Sequence, residues 1–209
     1  MGVQPQAAGL KGERLGLSLL HTRGHIYRAC MEGVALSLNT EKAQKELFDF
    51  MERNAKVEDG QERLEKYMEF TMYDNNVGQK DMFNGLMDGK YTACNFDELS
   101  ITFEYPTVKS QANRVGALHG GAFCGAFDMT VTALARFCAG SPFAPTISLD
   151  VKYIRPVQIG DTFIVKAYAT ATGKRVIQIA CEGYSKNTGK LAATASSVCL
   201  AIDTTKERR

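Results

Sequence analysis

The chain has 209 residues, 44% of them hydrophobic and 23% charged, with a formal net charge of +2. That mixture is ordinary for a globular protein and excludes wholesale disorder; the length suits one domain with extensions, or two small ones. The near-neutral charge, with no basic stripe and no run of like charges, gives no footprint for nucleic acid.

The six cysteines, Cys30, Cys94, Cys124, Cys138, Cys181 and Cys199, form no C-x-x-C pair and no zinc spacing. Four of them lie in apolar stretches and read as small apolar side chains; a reduced protein is expected, and no metal. From the polar, Gly-containing start, Met1 to Arg14, no signal peptide is expected. No apolar run is read as long enough for a membrane span, so a cytoplasmic location is expected.

Residues 1–40 form an N-terminal extension, with an amphipathic helix expected from Gly24. Residues 41–90 form a helical segment expected to pack on the β-rich remainder of the chain. Thr40 is placed to cap a helix with Leu47, Phe48 and Met51 at core spacing. Asp59-Gly60 breaks it, and a second helix carries Leu64, Tyr67, Met68 and Met72. Asp74 to Lys90, rich in Asn, Asp and Gly, is loop or short helix. Residues 91–204 then change to β character. FDELSITFEYP is the first strand. GGAFCGAFDMTVTALARFCAG, apolar nearly all round, predicts a buried helix. TISLDVKYI alternates, with Ile147, Leu149, Val151 and Tyr153 on one side. Three more strands come after it at short Gly-containing turns, TFIVKAYATA, RVIQIACEGYS and KLAATASSVCLAI. The four read as an antiparallel meander. The expected class is α+β, an antiparallel sheet wrapped around one long buried helix.

Chemistry concentrates between Asn113 and Asp128. His119-Gly120-Gly121 opens the buried helix, where unpaired backbone N–H groups and a partial positive charge collect. Glycines let a ligand approach that backbone, so the turn suits an oxyanion hole; it suits tight helix–sheet packing equally well. Asp128 is the one acid in the apolar helix. It reads as a base or nucleophile, the alternative being a polar group bonded to nearby backbone. Gly120 and Asp128 lie eight residues apart, about 12 Å along a helix axis. A nucleophile and an oxyanion hole must meet within about 3 Å of one carbon. If both act, two antiparallel helices from two subunits must pair, so the chemistry requires at least a dimer.

Asn113, His119-Gly120-Gly121 and Asp128, with Tyr153-Ile-Arg-Pro156 and Gly160-Asp161 further along, resemble the signature of hotdog-fold acyl-CoA thioesterases. The kinship is with the phenylacetate-pathway and thioesterase-superfamily-member type, over about Asn95 to Asp203. The resemblance implies a hotdog fold and a homodimer or homotetramer. It also implies hydrolysis of an acyl-CoA, with CoA as part of the substrate and no cofactor. In that family the N–H at the position of Gly120 polarises the thioester carbonyl. The acid matching Asp128, from the other subunit, is nucleophile or general base. Asn113 would place substrate or water, His119 would orient the turn, and Thr146 would bring a hydroxyl near the attacking water. Gly121 would border the substrate, and Arg155, Lys174 and Arg175 are candidates for the nucleotide end of CoA. A hotdog hydratase or dehydratase and a non-catalytic acyl-CoA-binding module are the alternatives. Residues 15–38 resemble instead a C-terminal piece of xylulokinase-like carbohydrate kinases. They lack the phosphate-binding loops, so no kinase activity is expected and a fusion remnant or a misplaced start codon would explain them. His21 and His25, without a third ligand, predict no metal site.

Overall fold

A computed structural model of the chain describes residues 41–77 and 82–202. The expectations for residues 1–40, including the kinase-like stretch, the His21/His25 pair and the Thr40 cap, lie outside these residues.

Among the described residues two helices come first, α1 (Glu41–Asn54) and α2 (Gly60–Val77). The Asp59-Gly60 pair, expected to break the first helix, lies past its end at Asn54 and starts α2 instead: the Asp59 carboxylate accepts the Glu62 N–H at 2.7 Å and satisfies one of the free donors there. Leu64, Tyr67 and Met68, at i, i+3 and i+4, are buried on one face of α2. Phe50 of α1 stacks on Phe70 of α2 with ring centroids 4.1 Å apart. A one-turn helix, α3 (Phe83–Met87), leads into the sheet.

The strands are β1 (Lys90–Asn95), β2 (Ser100–Pro106), β3 (Thr146–Tyr153), β4 (Thr162–Thr172), β5 (Val176–Ser185) and β6 (Leu191–Leu200). They form one antiparallel sheet in the order β1-β2-β4-β5-β6-β3. The 20-residue α4 (Gly120–Ala139) packs across it, with contacts to β2, β3, β4, β5 and β6. The expected helix-on-sheet α+β architecture is therefore present.

Three details correct the reading of the sequence. The expected first strand FDELSITFEYP begins as a turn at residues 96–99 and only then becomes β2, which pairs in a hairpin with β1 just before it, a strand the sequence did not suggest. Only β4, β5 and β6 make a meander; β3 crosses to the far edge and pairs with β6 alone. The alternation in β3 is also interrupted, because Thr146 pairs with Cys199 and Ser148 with Val198, leaving Ile147 as a bulge. Ile147 and Tyr153 are more than half exposed, while Leu149 and Val151 are partly buried.

The helix α4 is likewise not buried on every face. Phe127, Val131 and Leu134 are fully enclosed against the sheet, whereas Gly121, Cys124, Gly125, Asp128 and Thr132 form a partly open stripe. By length and composition α4 would reach across a bilayer, which the sequence reading missed. Its buried Phe and Leu face and the acid on its open face make it the core helix of this sheet.

Close approach of α4 to the sheet depends on Gly183 in β5. A Cβ there would fall inside the rings of Phe163 and 3.0 Å from that of Phe127. These two rings meet edge-to-face at 5.5 Å, between helix and sheet. Gly183→Ala is expected to lower stability by about 1–3 kcal/mol through overpacking. A denaturant midpoint equal to that of the wild type would contradict this account of the helix–sheet contact.

Candidate active site

The turn that starts α4 is held by local bonds. The Asn113 side-chain oxygen accepts the N–H groups of Val115 and Ala117, both at 3.0 Å, and its backbone N–H donates to the Ala117 carbonyl at 2.8 Å. This Asx-type loop delivers the chain to His119. There the His119 N–H donates to the Gln111 carbonyl at 2.8 Å. The structure thus uses the Asn113 oxygen to build the loop, leaving its amide NH2 as the group able to face outward.

His119 is the N-cap of α4, with φ −69° and ψ 144°, and its Nδ1 accepts the Gly121 N–H at 2.9 Å. The acceptor in this cap is the unprotonated Nδ1. The His119 carbonyl accepts from Ala122 and Phe123 at 2.9 and 3.2 Å. Of the two glycine N–H groups, Gly121's is therefore spent on the cap. The Gly120 N–H, at the first helical position, has no acceptor among the described residues. The sequence suggests the Gly120 N–H as the donor and sets Gly121 against the substrate; in the structure the Gly121 N–H is taken by the cap, and the Gly120 N–H is unbonded among the described residues.

Two turns further along, Asp128 sits on the open stripe. Its Oδ1 accepts the Thr146 hydroxyl at 2.7 Å. The bulge at Ile147 sits beside Thr146, at the start of β3 and opposite the buried Cys199. Short and partly buried, this bond fixes one carboxylate oxygen and leaves the other unbonded among the described residues. Asp128 and Thr146 are thus brought together within one chain.

Gly120 is at the opposite end of β3, beside Tyr153. The Tyr153 hydroxyl donates to the Gly120 carbonyl at 3.1 Å and lies 3.1 Å from the Cys124 sulfur. Its ring packs edge-to-face on Phe123 at 5.6 Å. The sequence reading placed Tyr153 only in the strand pattern and the Tyr-Ile-Arg-Pro motif. A tyrosine two residues before that motif's arginine was the available signal, but nothing in the spacing shows a contact with a residue 33 positions earlier.

The basic candidates divide between the two ends of the sheet. Arg155 lies just past the end of β3 on the Gly120 side and donates to the Leu191 carbonyl at 2.7 Å. Lys174 and Arg175 are exposed in the β4–β5 turn, next to the strand ends that pair near Thr146. Among the described residues no group of His, Cys, Asp and Glu is placed to hold a metal.

A six-stranded antiparallel sheet with one long helix laid across it, carrying a glycine turn at the helix start and an acid two turns on, defines a hotdog-fold protein. The same fold is seen in the Escherichia coli PaaI protein from the phenylacetic acid degradation operon (TM-score 0.58, 16% identity, covering 69% of this chain and 97% of that one). Residues 115–192 match the family model described as the thioesterase superfamily. The chain is 30% identical over 117 residues to an uncharacterized acyl-CoA thioester hydrolase of Buchnera aphidicola, covering 53% of this chain and 87% of that protein. It is 27% identical over 92 residues to mouse acyl-coenzyme A thioesterase 13, covering 43% of this chain and 64% of the mouse protein, just under two thirds of its length. The chain belongs to the thioesterase superfamily of thioester hydrolases.

Proposed function

We propose that the protein hydrolyses acyl-CoA thioesters to the free acid and CoA, at a site shared by two copies of the chain. The observation that carries this reading is the pairing, on one helix, of a free Gly120 N–H with an Asp128 carboxylate held by Thr146 two turns away. Water, activated by Asp128 acting as base, attacks the thioester carbonyl carbon; acting as nucleophile, Asp128 attacks it directly. In either route the carbonyl oxygen becomes negative and takes the Gly120 N–H as donor. The C–S bond then breaks and CoA leaves as a thiolate that takes up a proton; the base route gives the free acid directly, whereas on the nucleophile route a water cleaves the acyl–Asp128 anhydride to free acid and restores the carboxylate. Thr146 orients the carboxylate, and the amide of Asn113 lies on the loop bordering the glycine turn.

About 12 Å of helix separates Gly120 from Asp128, so one chain cannot present both to one carbon. Two α4 helices side by side and antiparallel bring each glycine turn to the other's acid. The open stripe of α4 and the unpaired edge strand β3, with Ile147 exposed, are the surfaces such a dimer would cover. That pairing also sets the Arg155 end of one chain beside the Lys174–Arg175 end of the other, where CoA phosphates would find cations. A hydratase pairs a catalytic histidine with an acid, and among the described residues the one nitrogen His119 has engaged, Nδ1, serves as a helix cap.

Thiol release measured with short-chain, long-chain and aryl acyl-CoAs tests the reading. Turnover with at least one of them is expected. Tight binding of all three kinds with no thiol released would replace hydrolysis by an acyl-CoA-binding role.

A further inference from the structure

The two glycines that open α4 give a substrate access to the backbone, but they also soften it, since glycine restricts neither φ nor ψ. A donor that stabilises a developing oxyanion works through being fixed in advance. Something beyond the glycines must therefore hold this turn.

The peptide between Gly120 and Gly121 is held at both ends. Its N–H donates to His119 Nδ1 at 2.9 Å, and its carbonyl accepts the Tyr153 hydroxyl at 3.1 Å. The preceding peptide, which carries the free Gly120 N–H, has its carbonyl bonded to Ala122 and Phe123. We propose that Tyr153 is a positioning residue for the oxyanion hole: its hydroxyl and His119 clamp the Gly120–Gly121 peptide and so fix the direction of the Gly120 N–H. This rests on the proposed thioesterase mechanism.

Three features fit the tyrosine for that task. Its ring, at the end of β3, is seated on Phe123, one turn into α4, so the hydroxyl is braced against the helix it aligns. The approach is close, since a Cβ on Gly120 would lie 3.3 Å from the phenol oxygen. The Cys124 thiol hydrogen-bonded to it, together with partial burial, pushes the phenol up to about 12, so it stays protonated and a donor. With that proton given to Gly120, the contact at 3.1 Å is the Cys124 thiol donating to the phenol oxygen.

Tyr153→Phe removes the hydroxyl and keeps the ring. Losing an oxyanion donor outright costs about 10²–10³ in kcat; loosening one costs less, and a fall of roughly ten-fold is expected, with KM within about two-fold. The melting temperature should hold, because more than half of Tyr153 is exposed. In ¹⁵N–¹H spectra the Gly120 and Gly121 amides should shift and exchange faster, while those of Asp128 and Thr146 stay in place. An unchanged kcat, or a raised KM at wild-type kcat, would overturn the positioning role. If the wild type hydrolyses no thioester, the mechanism fails by itself, and the two glycine amides still decide whether Tyr153 clamps the turn.

Discussion

Replacing Asp128 by asparagine is expected to lower turnover about a thousand-fold while leaving the fold and KM nearly unchanged. The side chains have the same shape, and the amide oxygen of asparagine accepts the Thr146 hydroxyl as the carboxylate oxygen does at 2.7 Å. The stability of α4 comes from the other face, where Phe127, Val131 and Leu134 are fully buried. What the substitution removes is the capacity to take a proton from water or to attack carbon. General-base catalysis alone contributes about 10²–10⁴ in rate, and a nucleophile's loss is at least as severe. Parallel thiol-release kinetics and thermal melts of wild type and Asp128→Asn check this. Full activity would remove Asp128 from both roles. A loss confined to KM would make it a substrate contact.

Much of this site is legible in the sequence because it is written in short-range chemistry. A single acid in an apolar helix and a histidine-glycine-glycine turn at its start are visible in twenty residues, and the arithmetic of helix rise separates them. The strands β4, β5 and β6 are legible because period-two alternation and Gly turns survive in them. The order of the sheet is not: β3 alternates like its neighbours, and nothing local says that it crosses to the far side of β6. Its bulge is hidden for a related reason, since Ile147 is as good a strand residue as any and the extra residue shows only against the register of β6. The β1–β2 turn escapes because its left-handed position, φ 44°, is taken by Leu99 where a glycine would have announced it. Tyr153 is the most instructive miss. Its partner is a backbone carbonyl in another element, and a carbonyl has no letter in the sequence.

The shared site has a consequence that separates it from any site built within one chain. Gly120→Pro should be inactive, since proline carries no N–H, yet it should fold. The first helical position is the one where proline is best tolerated, and His119 before it already has the extended backbone that a proline at the next position demands. Asp128→Asn should be inactive because it has lost its base. In a mixed dimer one site carries both lesions, whereas the other takes its N–H from the Asp128→Asn chain and its carboxylate from the Gly120→Pro chain. That second site is intact. Equal mixing with free exchange makes half of the dimers mixed, each with one of two sites working, so about a quarter of wild-type activity is expected to return. The measurement is thiol release after the two inactive proteins are mixed under conditions where subunits exchange, with exchange tracked by mass spectrometry of the intact dimers. Recovery near that fraction requires Gly120 and Asp128 to act from different chains. Mixed dimers that form and stay inactive would place both groups in one chain's site, and the antiparallel pairing of α4 would have to be abandoned.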